Sequence, residues 1–400
     1  MDGKPYDQAL IVAQSLETGA RHVLIRGGSD GRFVPTGHLI FWTGGNLLAA
    51  PFDAALVKVT GPPAVVVQDV MMGTANGYAQ FTFSEDGTLV YLAGKDPMDD
   101  RTLMRVDRSG RAVPLPAPPR AYESLRISPD GRRLAVTITA ANDNLWLYEF
   151  GRTTLTPFTF EKENAGPVWL PDGRRVIFTS HAGGDRRNLH LVPIDGNSPS
   201  EKLLSSPNSQ YPSSWSRDGK NLAFTENAPD TGLDIWVLPM EGDRKPQPFL
   251  KTKFNEKSGR FSPDGRWLTY SSDVSGENQV YVRPFPGPGS PRQISIDGGG
   301  EPIWAANGRE IFFRHGDKVL AAEVRTQPEF HSSSPRVLFA GVYLEAEGTT
   351  SLSTYDAFPD GSAFIFVRQN TNPSTKKTLN VVLNWFEELR RIASEQKAKP

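Results

Sequence analysis

Phe261-Ser262-Pro263-Asp264-Gly265-Arg266-Trp267-Leu268-Thr269-Tyr270 reads as two short strands joined by a tight turn. Asp264-Gly265 supplies the turn, because glycine takes a positive φ without a Cβ clash and aspartate can hydrogen-bond the turn backbone. Leu268 and Tyr270 then alternate with polar neighbours, which is strand periodicity. The same device recurs at Gly37, Gly87, Gly131, Gly173, Gly219, Gly265, Gly308 and Gly361, with spacings of 50, 44, 42, 46, 46, 43 and 53 residues. Four residues before each glycine stand Phe33, Phe83, Ile127, Trp169, Trp215, Phe261, Trp304 and Ala357. Three and five residues after it every unit carries an apolar pair, for example Leu134 with Val136 and Ile311 with Phe313. A period of about 40–45 residues with four strands is the signature of a propeller blade.

A third strand follows each turn, as in Leu103-Met104-Arg105, Leu145-Trp146-Leu147, Ile235-Trp236-Val237 and Val381-Val382-Leu383. A weaker fourth strand closes most units, as at Pro248-Phe249-Leu250. The fold class is therefore all-β: a β-propeller of four-stranded antiparallel blades, eight in number with seven as the alternative. Trp169, Trp215 and Trp304 share one structural position, and their expected place is between adjacent blades.

The two ends of the chain are incomplete units. Residues 1–28 hold a third-strand pattern (Leu10 to Leu16) and a fourth (Arg21 to Ile25) without a turn motif, and residues 350–385 supply two inner strands and a third. The expectation is a single propeller over 1–385 in which 1–28 and 350–385 share the closing blade. Residues 386–397 read as a helix, followed by a tail to 400. Asn384 stands at its cap with Glu387 three residues on, and Phe386, Leu389, Ile392 and Ala393 form one apolar stripe.

Composition narrows the function. With 44 basic and 45 acidic residues the formal charge is −1, so nothing steers the chain to nucleic acid. There is no cysteine, hence no disulfide and no thiol-based metal or redox site. No apolar run reaches the length of a membrane span, and Met1 to Gln8 lacks the charged and apolar regions of a signal peptide. As written, the chain is expected in the cytoplasm unless it is a fragment of something larger.

Candidate chemistry is sparse. Gly27-Gly28-Ser29-Asp30-Gly31 matches Gly-x-Ser-x-Gly, yet a strand, Phe33-Val34, follows where a nucleophile elbow needs a helix; the stretch reads as an inter-blade connection. None of the six histidines sits in a metal-ligand pattern with another. The acidic runs Asp96–Asp100 and Asn142–Asn144 lack the glycine and terminal glutamate of a calcium loop. No catalytic residue, metal site or cofactor is expected. Strand alternation puts the Asp-Gly turns on one end of the ring. It puts the connections that enter the innermost strands on the other end, where Gln80, Glu123, Tyr211, Lys257 and Glu301, seven or eight residues before their turn glycines, form the candidate binding rim.

The Ser-Pro-Asp-Gly-x-x-Φ-x-Φ unit, fullest at Ser128–Val136 and Ser262–Tyr270, resembles the WD40-like repeat of TolB-type propellers. More narrowly, Ala50-Pro51-Phe52-Asp53, Asp234-Ile235-Trp236-Val237-Leu238-Pro239, Tyr281-Val282-Arg283-Pro284-Phe285-Pro286-Gly287 and Asn380-Val381-Val382-Leu383-Asn384-Trp385 resemble the C-terminal propeller region of bacterial receptor-type serine/threonine protein kinases. That resemblance implies a cytoplasmic kinase, a membrane span and an outer propeller that senses or docks. This chain shows neither kinase motifs nor a span, and no catalytic residue carries over to it. The expected function is a non-enzymatic, monomeric propeller that binds a protein, peptide or glycan. The alternatives are a TolB-like periplasmic scaffold and the propeller domain of a peptidase or lyase-type enzyme.

Overall fold

The computed structural model describes residues 9–73, 77–94, 101–139, 143–160, 163–182, 186–196, 198–345, 351–370 and 378–397. The run Asp96–Asp100, Asn142 and the first eight residues lie outside them. Among the described residues the structure is all-β apart from one helix, Trp385–Lys397. It divides into two compact units, Arg101–Gln369 and Met1–Asp100 with Asn370–Pro400.

Each turn glycine places its unit in a blade-type sheet, so eight such sheets form. The turn chemistry is the one the sequence implies. At the Gly265 turn, Ser262 Oγ donates to Asp264 Oδ1 at 2.5 Å, the Trp267 amide donates to Ser262 Oγ at 3.0 Å, and the Gly265 amide donates to the Ser262 carbonyl at 2.9 Å. Gly265 itself sits at φ 71°, where a side chain would be strained. The same arrangement recurs at Ser128/Asp130 and Ser216/Asp218. There the Ser216 hydroxyl and the Lys220 amide hold the Asp218 carboxyl below the usual carboxylate range.

Six of the eight sheets close a ring within Arg101–Gln369. The first blade comprises Tyr122–Ile127, Arg133–Ile138, Asn144–Glu149 and Thr154–Pro157. The second blade begins at Asn164–Trp169, the third at Ser209–Trp215, the fourth at Glu256–Phe261 and the fifth at Gly300–Trp304. The sixth combines Tyr355–Ala357 and Ala363–Gln369 with Arg101–Asp107 and Ala112–Pro114. The cores lie between blades. Trp169 packs on Leu145 and Leu147 of the first blade and donates its Nε1 to the Arg126 carbonyl at 2.9 Å. Trp304 does the same between the fourth and fifth blades, reaching Val280 and Val282 and the Arg260 carbonyl at 3.2 Å. Trp215 packs against Val168 and Leu170 of the second blade but stays partly exposed.

The other unit holds the Gly37 sheet, built from Ser29–Val34, His38–Thr43, Asn46–Asp53, Lys58–Val59 and Ala64–Val67, and a three-stranded sheet of Phe81–Phe83, Leu89–Leu92 and Leu379–Val382. The helix lays Trp385, Phe386 and Leu389 onto this core, beside Phe81, Phe83 and Leu89. Its first turn is fixed by the Glu387 amide donating to the Asn384 carbonyl. The side chains of Ile392 and Ala393 lie outside the described residues.

One expectation is corrected. Residues 1–28 do not pair with 350–385 among the described residues: Leu10–Gln14 pairs with Arg21–Arg26 as a separate hairpin. The Gly87 and Gly361 units instead exchange third strands. Arg101–Asp107, next in sequence after the Gly87 turn, joins Ala363–Gln369, with Leu103 opposite Val367 and Met104 opposite Phe366. Leu379–Val382, next after the Gly361 turn, joins Leu89–Leu92. An alternating strand can satisfy its backbone on any apolar second strand, so sequence order alone did not decide the partner. The ring unit is thereby inserted, in sequence, between two paired strands of the other.

Candidate functional site

In the first five blades of the ring the innermost strand carries a register shift six to eight residues before the turn glycine. Such bulges re-aim side chains at the rims of barrels and rings. In the fourth and fifth blades the bulge holds Ser258 at φ 58° and Glu301 at φ 51°, conformations rarely taken by residues other than glycine. Backbone strain at these positions persists because the surroundings hold it. The Glu301 carboxylate accepts from the Thr354 amide at 3.0 Å and lies 3.5 Å from Arg314 Nη1, and the Tyr355 hydroxyl donates to the Glu301 carbonyl at 2.7 Å.

The partner of this framework is the segment Ser351-Leu352-Ser353-Thr354, which enters the channel of the ring and is buried throughout. The Leu125 amide of the first blade donates to the Ser353 carbonyl at 3.0 Å. Leu352 packs between Ala165 of the second blade and Tyr211 of the third. Thr225 Oγ1 and the Ser258 amide both reach Ser351 Oγ, at 3.0 and 2.9 Å. Arg260 Nη2 donates to Ser353 Oγ at 3.2 Å. With Glu301 on Thr354, the segment touches every other blade of the ring and plugs it. Arg314, 5% exposed, clamps the approach by donating to the carbonyls of Tyr343 and Leu344 and to Thr354 Oγ1.

Outside the plug, at the end opposite the Asp-Gly turns, lies a pocket of about 270 Å³ lined by Lys257, Glu277, Glu301, Arg314, His315 and Glu345, with Gly298-Gly299-Gly300 forming one wall. Burial pushes the Lys257 ammonium below the usual lysine range, against the opposing pull of Glu301 and Asp273. Glu277, His315 and Glu345 are exposed at the lip. Gly298 lies against the His315 ring, where a Cβ would come within 3.2 Å of Nε2. The site thus offers charges of both signs on a rigid frame, suited to polar recognition.

Of the five rim residues read from sequence, the structure brings Lys257 and Glu301 together here. Tyr211 is 7% exposed and spent on Leu352. Glu123 is half-buried in the bulge of the first blade. Gln80 belongs to the other unit, where its Nε2 donates to the Tyr78 carbonyl. Sequence reasoning missed Arg314, Glu345 and the plug. A signal existed in Ser351–Thr354, a polar run directly before an innermost strand, but polar runs there normally mean solvated loops. Ser29 of the Gly-x-Ser-x-Gly match opens an innermost strand, Ser29–Val34, so the stretch is strand where a connection was expected. Among the described residues no group of three or more His, Asp or Glu is placed to hold a metal ion, and no helix is long and apolar enough to cross a membrane.

No family model matches the chain. A 77-residue stretch is 34% identical to the uncharacterized peptidase YuxL of Bacillus subtilis, covering 17% of this chain and 12% of that protein. An 80-residue stretch is 35% identical to the Tol-Pal system protein TolB of Anaeromyxobacter dehalogenans, covering 20% of this chain and 18% of that one. The chain therefore spans less than a fifth of the length of either relative it matches. Among solved structures, a putative TolB from Agrobacterium tumefaciens superposes with a TM-score of 0.56 at 18% identity, over 67% of this chain and 98% of that one. The fold is a TolB-type β-propeller.

Proposed function

We propose that this chain is a non-catalytic scaffold that binds a protein partner through the Lys257–Glu301 mouth of its ring. The observation that carries the reading is the plug. Ser351–Thr354 fills the channel, which favours binding over passage of a substrate, while the mouth above it keeps polar side chains on loops held by a rigid frame. The TolB-type fold supports a binding role. The finer reading, a docking or sensing propeller of the receptor-kinase type, is supported by the stretches around Ala50–Asp53 and Asp234–Pro239.

The test uses exposed lip residues that do not anchor the plug. Glu277→Lys, His315→Ala and Glu345→Lys combined are expected to abolish capture of a partner from a lysate of the source cells, with circular dichroism unchanged. Equal recovery by wild type and variant would remove the mouth as the binding face. Peptide or glycan turnover that persists through purification to homogeneity, and is lost in the same variant, would make the mouth an active site instead.

A further inference from the structure

Two carboxyl groups are buried where the third and fourth blades pack together. Asp234 lies on Gly232–Pro239, the third strand of the third blade, and is 0% exposed. Glu256 opens Glu256–Phe261, the innermost strand of the fourth blade, and is 3% exposed. Each is held by one threonine: Thr231 Oγ1 donates to Asp234 Oδ2 and Thr252 Oγ1 donates to Glu256 Oε1, both at 2.6 Å. The other oxygen of each, Asp234 Oδ1 and Glu256 Oε2, is buried and has no hydrogen-bond partner among the described residues. A carboxylate so placed costs free energy that the neutral acid does not.

The groups that face the pair are mostly acidic. Asn221–Ala228 contributes Glu226, whose carboxylate accepts from Asn208 Nδ2 and Gln210 Nε2, and the turn after it contributes Asp230. Asp273 follows the second strand of the fourth blade and accepts from the Asn255 amide and side chain. Tyr270 of that second strand also faces Glu256. The cation facing Asp234 is Lys251, which is exposed and stands over the Trp236 ring at 5.9 Å. Burial raises the Asp234 carboxyl above the usual carboxylate range, opposed by the Thr231 hydroxyl and Lys251 and reinforced by Asp230 and Glu226. Burial raises Glu256 as well, opposed by the Thr252 hydroxyl and reinforced by Asp234 and Asp273. Glu256 is two residues from Ser258, which sits at φ 58° in the bulge and donates its amide to Ser351 Oγ of the plug.

We propose that Asp234 and Glu256 form a proton-binding pair that couples pH to the seating of the plug. In acid the pair keeps a proton, and the bulge at Ser258 holds Ser351. As pH rises toward neutrality the proton leaves to solvent, two like charges share a buried site, and Glu256 is driven outward, which loosens the Ser258 contact. The sign follows from linkage: carboxyls that titrate higher in the folded chain than in the unfolded one add stability below the ordinary carboxyl range of about 4, and that stability is lost as pH rises above it. The device acts on the frame beneath the mouth and does not depend on what the mouth binds.

The test is infrared spectroscopy, thermal melting and hydrogen exchange of the full chain across the range from the ordinary carboxyl value of about 4 to neutrality. Wild type is expected to keep a protonated-carboxyl band above the usual carboxylate range, and the double variant Asp234→Asn/Glu256→Gln is expected to lack it. As pH rises, wild type should lose at least about 2 °C in Tm relative to Glu256→Gln. Exchange at the Ser258 amide, corrected for the intrinsic effect of pH, should accelerate in wild type and stay level in Glu256→Gln. The reading is the difference between two pH profiles, so a variant that melts lower at every pH still decides. The proposal is overturned if the band is absent from wild type, if the two melting profiles run parallel, or if Ser258 exchange does not respond to pH. Stabilisation of wild type by calcium chloride at neutral pH, lost in Glu256→Gln, would overturn it too, because the pair would then hold a metal cation.

Discussion

Replacing Trp169 with alanine is expected to destabilise the protein by about 3–5 kcal/mol, as truncation of a buried aromatic does. Trp169 is 6% exposed, fills the space between the first and second blades, lies under the Arg133 guanidinium at 5.4 Å and ties its indole nitrogen to the Arg126 carbonyl. Truncation therefore leaves a cavity and removes the indole hydrogen bond to the Arg126 carbonyl at once. Trp304→Ala should cost nearly as much, since it has equivalent partners between the fourth and fifth blades. Trp215→Ala should cost less, because Trp215 is partly exposed and its buried Nε1 bonds to nothing among the described residues. Urea melts of the three variants check the order. A Trp215 variant more damaged than the Trp169 variant would contradict the inter-blade assignment.

Gly166→Val should cost about 2–5 kcal/mol, from two sources. Gly166 sits at φ 65°, where an L-residue costs about 1–2 kcal/mol. A Cβ there would also run into the Leu352 side chain of the plug, an overpacking worth about 1–3 kcal/mol. The second part depends on Leu352 and the first does not. Leu352→Ala alone opens a cavity, but in combination with Gly166→Val it should remove the clash, so the double variant is expected to be less destabilised than the sum of the singles by about 1–3 kcal/mol. Additivity within about 0.5 kcal/mol would show that Leu352 does not occupy the channel beside Gly166.

The architecture was legible because the turn chemistry is local. Ser262, Asp264 and Gly265 specify their own hydrogen bonds, and the apolar positions around them specify which strand faces lie between blades. Strand partnership was not legible. Leu103-Met104-Arg105 and Asn380-Val381-Val382 carry similar alternation, and only tertiary packing assigns the first to Val367 and Phe366 and the second to Tyr91, Val90 and Leu89. The candidate site was half legible. Lys257 and Glu301 stood out as charges beside an innermost strand, and both line the mouth. Tyr211 shares their spacing yet packs inward, because the bulge in its strand and the arrival of Leu352 turn a rim position into core. The charges at Arg126, Arg260 and Asp356 escaped a scan that compared apolar positions only, although they break the pattern of an inter-blade site in plain view.

Closure of the ring by Arg101–Asp107 on Ala363–Gln369 underlies both the plugged channel and the mouth above it. Thr102 and Arg368 face each other across that pairing, and the chain has no cysteine of its own. The most direct measurement is therefore thiol titration of a Thr102→Cys/Arg368→Cys variant of the full chain under mild oxidation, followed by melting in oxidised and reduced form. A disulfide should form nearly completely between the two positions and raise stability by about 2–4 kcal/mol, as a cross-link closing a long loop does. Two free thiols in a folded, oxidised protein would contradict the closure.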